Sequence, residues 1–379
     1  MYNKRSPHPI LWMMLLLITL FLILSYTIAS AGTSDLSLSA RAAVLYEPET
    51  KSFLYEKNCD LRLPMASTTK VMTALVAIER GDLGEYVEID SRAVGTEGSS
   101  AYLKEGEIIT LEELLYALLL SSANDAAVAI ACHISGEVDK FATLMNEKAV
   151  ILGLKNTSFK NPHGLDDTEH YTTAKDLAII SAEAMKNETF KNIVSSYKKS
   201  FSSEERSRTY VNHNKLLNKY DGCVGVKTGF TKKSGRCLVG ACEKDGVSLI
   251  TVTLNASDDW CDHEKLFDLG YSMVERIILC NPYDYLYTVP TIGAKDKSVT
   301  LTNKDGFSAI VPKGVHIIKD YVKSHRYLIA PVSDEEILGE IYFTVDGKKI
   351  GSVRLYSTDN ITNNEEKGLL KRIFDIWKR

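Results

Sequence analysis

The strongest constraint on the fold is a change of period along the chain. From Pro64 to Asn187 apolar residues recur at helical spacing, whereas on either side they alternate as they do in strands. Before this stretch, Ala42 to Tyr46 and Ser52 to Tyr55 read as two short strands around the turn-like Glu47-Pro48-Glu49-Thr50. After it, Val224 to Gly229, Arg236 to Cys242 and Val247 to Leu254 alternate, the last two joined by the hairpin signal Asp245-Gly246. Strands at both ends with helices between them predict an α+β domain in which the N-terminal strands join the later sheet.

Within the helical stretch, Pro64 is expected to open a helix through Ser67, Val71, Leu75 and Ile78 that stops at Gly81. Thr110 and Glu113 form a capping box for a helix from Leu111 to Leu120. A break at Ser121-Ser122 separates it from a second helix, Asn124 to Ser135, closed by Gly136. Further helices are expected near Lys140 to Leu152, Ala174 to Asn187 and Asp262 to Arg276, the last closing the unit.

After Asn281-Pro282 only short strands follow: Leu286 to Val289, Ser298 to Thr302, Phe307 to Val311, Arg326 to Ala330, and a hairpin of Ile337 to Val345 with Lys349 to Tyr356. They predict a small, separate all-β domain over 283–358, behind a first domain over 38–280. The β part gathers no cluster of His, Cys or carboxylates, so a spacer or docking role is expected of it.

Both ends speak of membranes. Lys4 and Arg5, the apolar run Ile10 to Leu24 and Ala29-Ser30-Ala31 read as a signal peptide over 1–31, with an uncleaved N-terminal anchor as the competing reading. At the other end, 365–379 places Leu369, Leu370, Ile373, Phe374, Ile376 and Trp377 on one helical face with Lys371, Arg372, Lys378 and Arg379 around the other. That pattern suits an amphipathic helix lying on anionic lipid, and a helix packed on its own domain is the plainer alternative.

A formal charge of −4, from 45 basic and 49 acidic residues, gives no broad cationic field and excludes nucleic acid as the main partner. Seven scattered cysteines without CxxC spacing fit neither a disulfide scaffold nor a zinc site, and no metal or other cofactor is expected.

The chemistry starts at Ser67-Thr68-Thr69-Lys70. A serine and a lysine three residues apart at a helix start share a face, so the amine can reach the hydroxyl and take its proton. Alone the signal is weak, since Ser195 with Lys198 and Ser196 with Lys199 match as well. Two motifs that occur once in the chain strengthen it. Ser122-Ala123-Asn124 at the break between two apolar helices can present a hydroxyl and an amide to a cleft, or serve only as a helix cap. Lys227-Thr228-Gly229 on a strand offers a cation and a hydroxyl to a carboxylate, with a glycine that lets a ligand approach the backbone.

Together these motifs, with Pro64-Met65-Ala66, Asn161-Pro162-His163-Gly164-Leu165, Thr173-Ala174-Lys175-Asp176 and the run from Gly225 to Leu254, resemble the low-molecular-mass penicillin-binding proteins, the serine D-alanyl-D-alanine carboxypeptidases. The resemblance spans about Ala40 to Asn281, and that family's β-rich second domain and amphipathic C-terminal anchor match the remainder. It implies a β-lactamase/transpeptidase-like α+β domain, an antiparallel sheet with a helical cluster, on the outer face of a bacterial cytoplasmic membrane. It also implies Ser67 as the acylated nucleophile and Lys70 as its base, with Ser122 and Asn124 completing the relay and binding the peptide amide. Lys227, Thr228 and Gly229 would hold the substrate carboxylate, and the N–H groups of Ser67 and Phe230 the oxyanion. His163 would assist deacylation or shape the pocket, or be a structural loop residue. Two departures stand out: many relatives have a histidine where this chain has Phe230, and some have an arginine near Ala256 to Trp260, where this chain has none.

The implied reaction removes the terminal D-alanine of a peptidoglycan stem pentapeptide through an acyl-enzyme, with β-lactams as covalent inhibitors. The alternatives are an endopeptidase cleaving peptide crosslinks, a β-lactamase, or an inactive penicillin-binding scaffold. A metal hydrolase built on His163, Asp166, Asp167 and His170 lacks an HExxH helix to support it.

Overall fold

A β-strand buried along its whole length needs a neighbour on each edge and cover on each face, and Ala42–Glu47 (β1) is such a strand. It pairs antiparallel with Ser52–Lys57 (β2) on one side, and antiparallel with a strand two hundred residues later on the other. The computed structural model describes residues 36–202, 206–315 and 318–363, of which everything from Ala40 onward forms one unit apart from the residues up to Ser39. The expected signal segment 1–31 and terminal helix 365–379 lie outside the described residues.

Short pairs Tyr86–Glu88 (β3) with Ile108–Thr110 (β4) and Lys198–Ser202 (β5) with Ser207–Val211 (β6) flank the helical region. Cys223–Thr231 (β7), Gly235–Lys244 (β8) and Val247–Ala256 (β9) complete the main antiparallel sheet, ordered β2-β1-β9-β8-β7. The N-terminal hairpin thus joins the later sheet, as its alternation predicts. Cys237 and Cys242 share β8, and all seven cysteines are free thiols.

On the sheet sit the helices Lys70–Arg80, Leu111–Leu119, Asn124–Ser135, Val138–Ile151 and Ala174–Met185, which share one apolar core with β1, β8 and β9. Their ends follow local chemistry. The Thr110 hydroxyl accepts the Glu113 N–H, the Thr173 hydroxyl accepts the Asp176 N–H, and Gly136 closes its helix in the left-handed conformation.

Three expectations are corrected. The first helix does not open at Pro64: a 3-10 turn over Ala66–Thr69 precedes the α-helix from Lys70. The helices Glu188–Ser195 and Leu216–Lys219 and the hairpin β5–β6 went unforeseen, because β5 reads Lys-Lys-Ser-Phe-Ser and carries no apolar alternation. The last helix runs Asp259–Met273, not to Arg276, and Val274–Cys280 (β10) follows it without an intervening loop residue.

Strand β10 pairs with Phe307–Pro312 (β13), beyond Leu286–Ile292 (β11) and Ser298–Asn303 (β12). Strands β10 and β13 form a two-stranded sheet of their own, while β11 and β12 with Ile318–Ser324 (β14), Leu328–Ile329 (β15), Ile337–Val345 (β16) and Lys348–Ser357 (β17) build a second sheet ordered β14-β16-β17-β12-β11-β15. Its core, around Leu301, Ile341, Phe343 and Leu355, is separate from the first. Arg276 pins the junction: its guanidinium donates to the Gly246 carbonyl at 2.7 Å and the Ser308 hydroxyl at 3.0 Å, and pairs with Glu49. Among the described residues no helix is long and apolar enough to cross a membrane.

Candidate active site

A 3-10 helix has three residues per turn, so side chains three apart stack one above the other. That is why Ser67, in the 3-10 turn, lies directly under Lys70, whose Nζ donates to the Ser67 Oγ at 2.9 Å. The Lys70 Nζ is fixed from two other sides, donating to the Asn124 Oδ1 at 2.6 Å and the His163 carbonyl oxygen at 2.7 Å. Lys70 is fully buried, and desolvation, with the Lys227 charge adding to it, drives its proton affinity well below that of a free lysine; Asp125 opposes this in part. A lysine so placed gives up its proton far more readily than a free one, and so is suited to take the serine proton.

The turn holding Ser67 is strained. Ala66 is a buried non-glycine residue with φ +47°. A chain of hydrogen bonds holds it: the Lys160 N–H donates to His170 Nδ1 at 3.0 Å, so His170 Nε2 carries the proton and donates to Thr69 Oγ1 at 2.8 Å. The Thr69 hydroxyl in turn donates to the Ala66 carbonyl at 2.8 Å. Burial pushes His170 down to about 4, which keeps it neutral in this role. Both of its nitrogens are engaged, and among the described residues no three His, Cys, Asp or Glu side chains gather as a metal site.

The break predicted at Ser121-Ser122 is real, with Ser122 at φ +60° between the two helices and almost buried. The Asn124 amide donates to the Glu97 carbonyl at 2.5 Å. The neighbouring Asp125, which sequence reasoning missed, accepts from the Ser100 hydroxyl at 2.6 Å and from the N–H groups of Ala101 and Leu103 at 2.9 and 3.1 Å. It thereby ties the 99–103 loop to the Ser122–Asn124 wall.

The opposite wall is β7. Lys227 is buried, its Nζ donates to the Thr228 carbonyl at 3.0 Å, and desolvation pushes it down to about 7. Gly229 passes so close to the 3-10 turn that a Cβ there would stand 3.0 Å from the Ser67 nitrogen, so only glycine fits without a shift. Between the walls lies a cleft of about 380 Å³ lined by Ser67, Ser122, Thr228, Gly229 and Phe230, with Ser99, His213, Lys215, Arg236, Asp259 and Trp260. Phe230 is largely exposed at its rim.

Nearly all the residues expected from the sequence are brought together: Ser67, Ser122, Thr228, Gly229 and Phe230 on the cleft, and Lys70, Asn124 and Lys227 buried behind it. His163 comes differently. Its carbonyl holds Lys70, while its imidazole accepts the Leu165 N–H at 3.2 Å and is pushed down to about 3 by burial and the nearby Lys70. His213, Lys215, Arg236, Asp259 and Trp260 were missed. Arg236 joins the cleft only through strand pairing, which places it opposite Phe230.

A family model described as D-alanyl-D-alanine carboxypeptidase matches residues 29–258, and one described as penicillin-binding protein 5, C-terminal domain, matches residues 283–363. The D-alanyl-D-alanine carboxypeptidase DacF of Bacillus subtilis is 33% identical over 359 residues, covering 92% of each chain. DacC of Escherichia coli is 30% identical over 358 residues, covering 90% of this chain and 88% of its own. Among solved structures, penicillin binding protein 5 from Haemophilus influenzae aligns with a TM-score of 0.66 at 28% identity, covering 88% of this chain and 100% of that one. A D-alanyl-D-alanine carboxypeptidase from Mycobacterium tuberculosis aligns at 0.61 with 32% identity, over 64% of this chain and 95% of that one. The site built on Ser67, Lys70 and β7 thus stands in a chain that belongs to the D-alanyl-D-alanine carboxypeptidase family of penicillin-binding proteins.

Proposed function

We propose that this D-Ala-D-Ala carboxypeptidase works through Ser67 as nucleophile and Lys70 as base on the stem peptide of peptidoglycan. The Ser67 hydroxyl gives its proton to the Lys70 amine while Oγ bonds to the carbonyl carbon of the penultimate D-alanine. The N–H groups of Ser67 and Phe230 take the oxyanion that forms. The C–N bond then breaks, and the leaving amine of the terminal D-alanine takes a proton relayed through Ser122 from the Lys70 side. Water adds to the acyl-enzyme, its proton passes to Lys70, and Ser67 leaves with a proton. Asn124 holds the peptide amide, and Thr228 with Gly229, on the strand that carries the buried Lys227, forms the end of the cleft that takes the terminal carboxylate. His163 supports Lys70 through its backbone.

The observation that carries this reading is the 2.9 Å contact between the Ser67 hydroxyl and a buried Lys70 whose proton affinity burial lowers. Penicillins, which mimic the D-Ala-D-Ala end, acylate the same oxygen. The test is release of D-alanine from a diacyl-Lys-D-Ala-D-Ala peptide by the purified protein and by Ser67→Ala. Release that vanishes in the variant supports the assignment, and equal release by both overturns it. No release by either, with penicillin still labelling Ser67, points to an endopeptidase or a scaffold.

The proposed arrangement is a catalytic domain over 38–280 and a β-rich domain over 283–358, exported by the segment 1–31 and held at the outer face of the membrane by the helix 365–379. The separate cores and the two matched regions support this division. A chain ending before Gly368 is expected to stay active and to lose liposome binding; unchanged binding would remove the anchor from the scheme.

A further inference from the structure

A peptide ending in a free carboxylate needs a cation that faces it. Lys227 is poorly suited: it is buried, its ammonium donates to the Thr228 carbonyl, and it is not on the cleft wall. The cations that do line the cleft are Lys215 and Arg236. Arg236 lies on β8 directly opposite Phe230, while Thr228 pairs with Leu238 one step inward on the same side of the sheet. The Thr228 hydroxyl and the Arg236 side chain therefore flank a single place at the end of the cleft.

Arg236 is also held ready. Its Nε donates to Asp259 Oδ1 at 2.7 Å, and Asp259, the first residue of the Asp259–Met273 helix, is almost fully buried while the arginine keeps 43% of its side chain exposed. The guanidinium carbon lies 5.6 Å from the centre of the Trp260 ring, so the plane is steered on two sides. With Nε engaged, the two terminal nitrogens form the fork that matches a carboxylate. A buried acid under a half-exposed guanidinium at a cleft mouth orients the cation at a cost in desolvation that a surface arginine would not need.

We propose that Arg236, positioned by Asp259 and Trp260, is the receptor for the terminal carboxylate of the substrate, sharing it with the Thr228 hydroxyl. Arg236 supplies the cation from β8 that Ala256 to Trp260 do not provide. Lys227 stays behind the strand, where it acts on Lys70 and Thr228.

This rests on the carboxypeptidase reading above, and the experiment separates the two. The kcat/KM for D-alanine release from diacyl-Lys-D-Ala-D-Ala is compared with that for release of D-alaninamide from the same peptide amidated at its C-terminus, for wild type, Arg236→Gln and Arg236→Lys. Loss of one charge-assisted contact predicts that Arg236→Gln lowers the acid-to-amide ratio roughly 10- to 100-fold, with Arg236→Lys between. A second pair, acylation by benzylpenicillin and by its methyl ester followed by mass spectrometry, needs no turnover and is expected to show the same collapse of preference. An unchanged ratio overturns the proposal, as does an equal fall for acid and amide. Failure of the carboxypeptidase reading looks different: the wild type itself then releases neither D-alanine nor D-alaninamide.

Discussion

Gly164 lies so close to Ala66 that a Cβ on it would stand 2.0 Å from the Ala66 carbonyl oxygen. The loop carrying His163 and the turn carrying Ser67 are thus packed backbone to backbone, and the same loop delivers the carbonyl that holds Lys70. Gly164 also has φ +88°, so the position requires glycine twice over.

Gly164→Ala is therefore expected to push the Ala66 turn away from Lys70. Backbone on both sides leaves no soft side chain to yield, and a loss of about 3 kcal/mol is expected, or a fall in Tm of roughly 6 to 12 °C. Penicillin acylation of Ser67 should slow more than tenfold. Thermal unfolding and an acylation time course check this, and wild-type acylation in the alanine variant would contradict it.

His170 makes the strained turn sensitive to acid. Its proton affinity is lowered to about 4 in the folded protein, against about 6.5 when unfolded, so between these values the unfolded chain binds more protons. Stability contributed by neutral His170 is thus present above pH about 6.5 and is lost as pH falls toward 4. His163 and His263, both pushed down to about 3 by burial, act in the same direction. Tm is expected to drop steadily from pH 6.5 to 4, and His170→Gln should flatten that slope; parallel profiles for the two proteins would count against it.

The two buried lysines set opposite limits on activity. Lys70 must be neutral to accept the serine proton, so kcat/KM should fall on the acid side as it protonates. Lys227, pushed down to about 7, loses its charge above that value, and the positive potential it lends the cleft from behind the strand fades. A bell-shaped profile of kcat/KM for D-alanine release is expected, and a flat one from pH 5 to 9 would exclude it. For stability the sign is reversed on the alkaline side: between about 7 and 10.4 the unfolded chain binds the extra proton, so stability rises with pH. Lys227→Met should raise Tm at neutral pH by about 2 to 4 °C while abolishing turnover.

What could be read in the sequence was what depends on neighbours along the chain. Ser67 and Lys70 sit one turn apart, Ser122 and Asn124 flank a helix break, and Lys227 to Gly229 share one strand, so local spacing alone carries them. Asp125 and Arg236 were invisible for the opposite reason. Asp125 acts on a loop more than twenty residues away, and Arg236 becomes part of the cleft only through the β7–β8 register and a partner on another element. His163 shows a third case, in which the motif is found but the working atom is its carbonyl oxygen, which any residue type possesses. The helix expected to reach Arg276 ended at Met273, because β10 has a partner in β13 that lies beyond the reach of local pattern.

That direct passage from Met273 to Val274 has a mechanical meaning. Where a helix becomes a strand with no residue to spare, and Arg276 clasps both turns of the first sheet and Ser308 on β13, the passage from one core to the other is braced by side chain as well as by backbone. The same β10 leads straight back into the helix whose first turn bears Asp259 and Trp260, so a strain set up in the β part has a covalent route, without a slack residue, to the rim of the cleft.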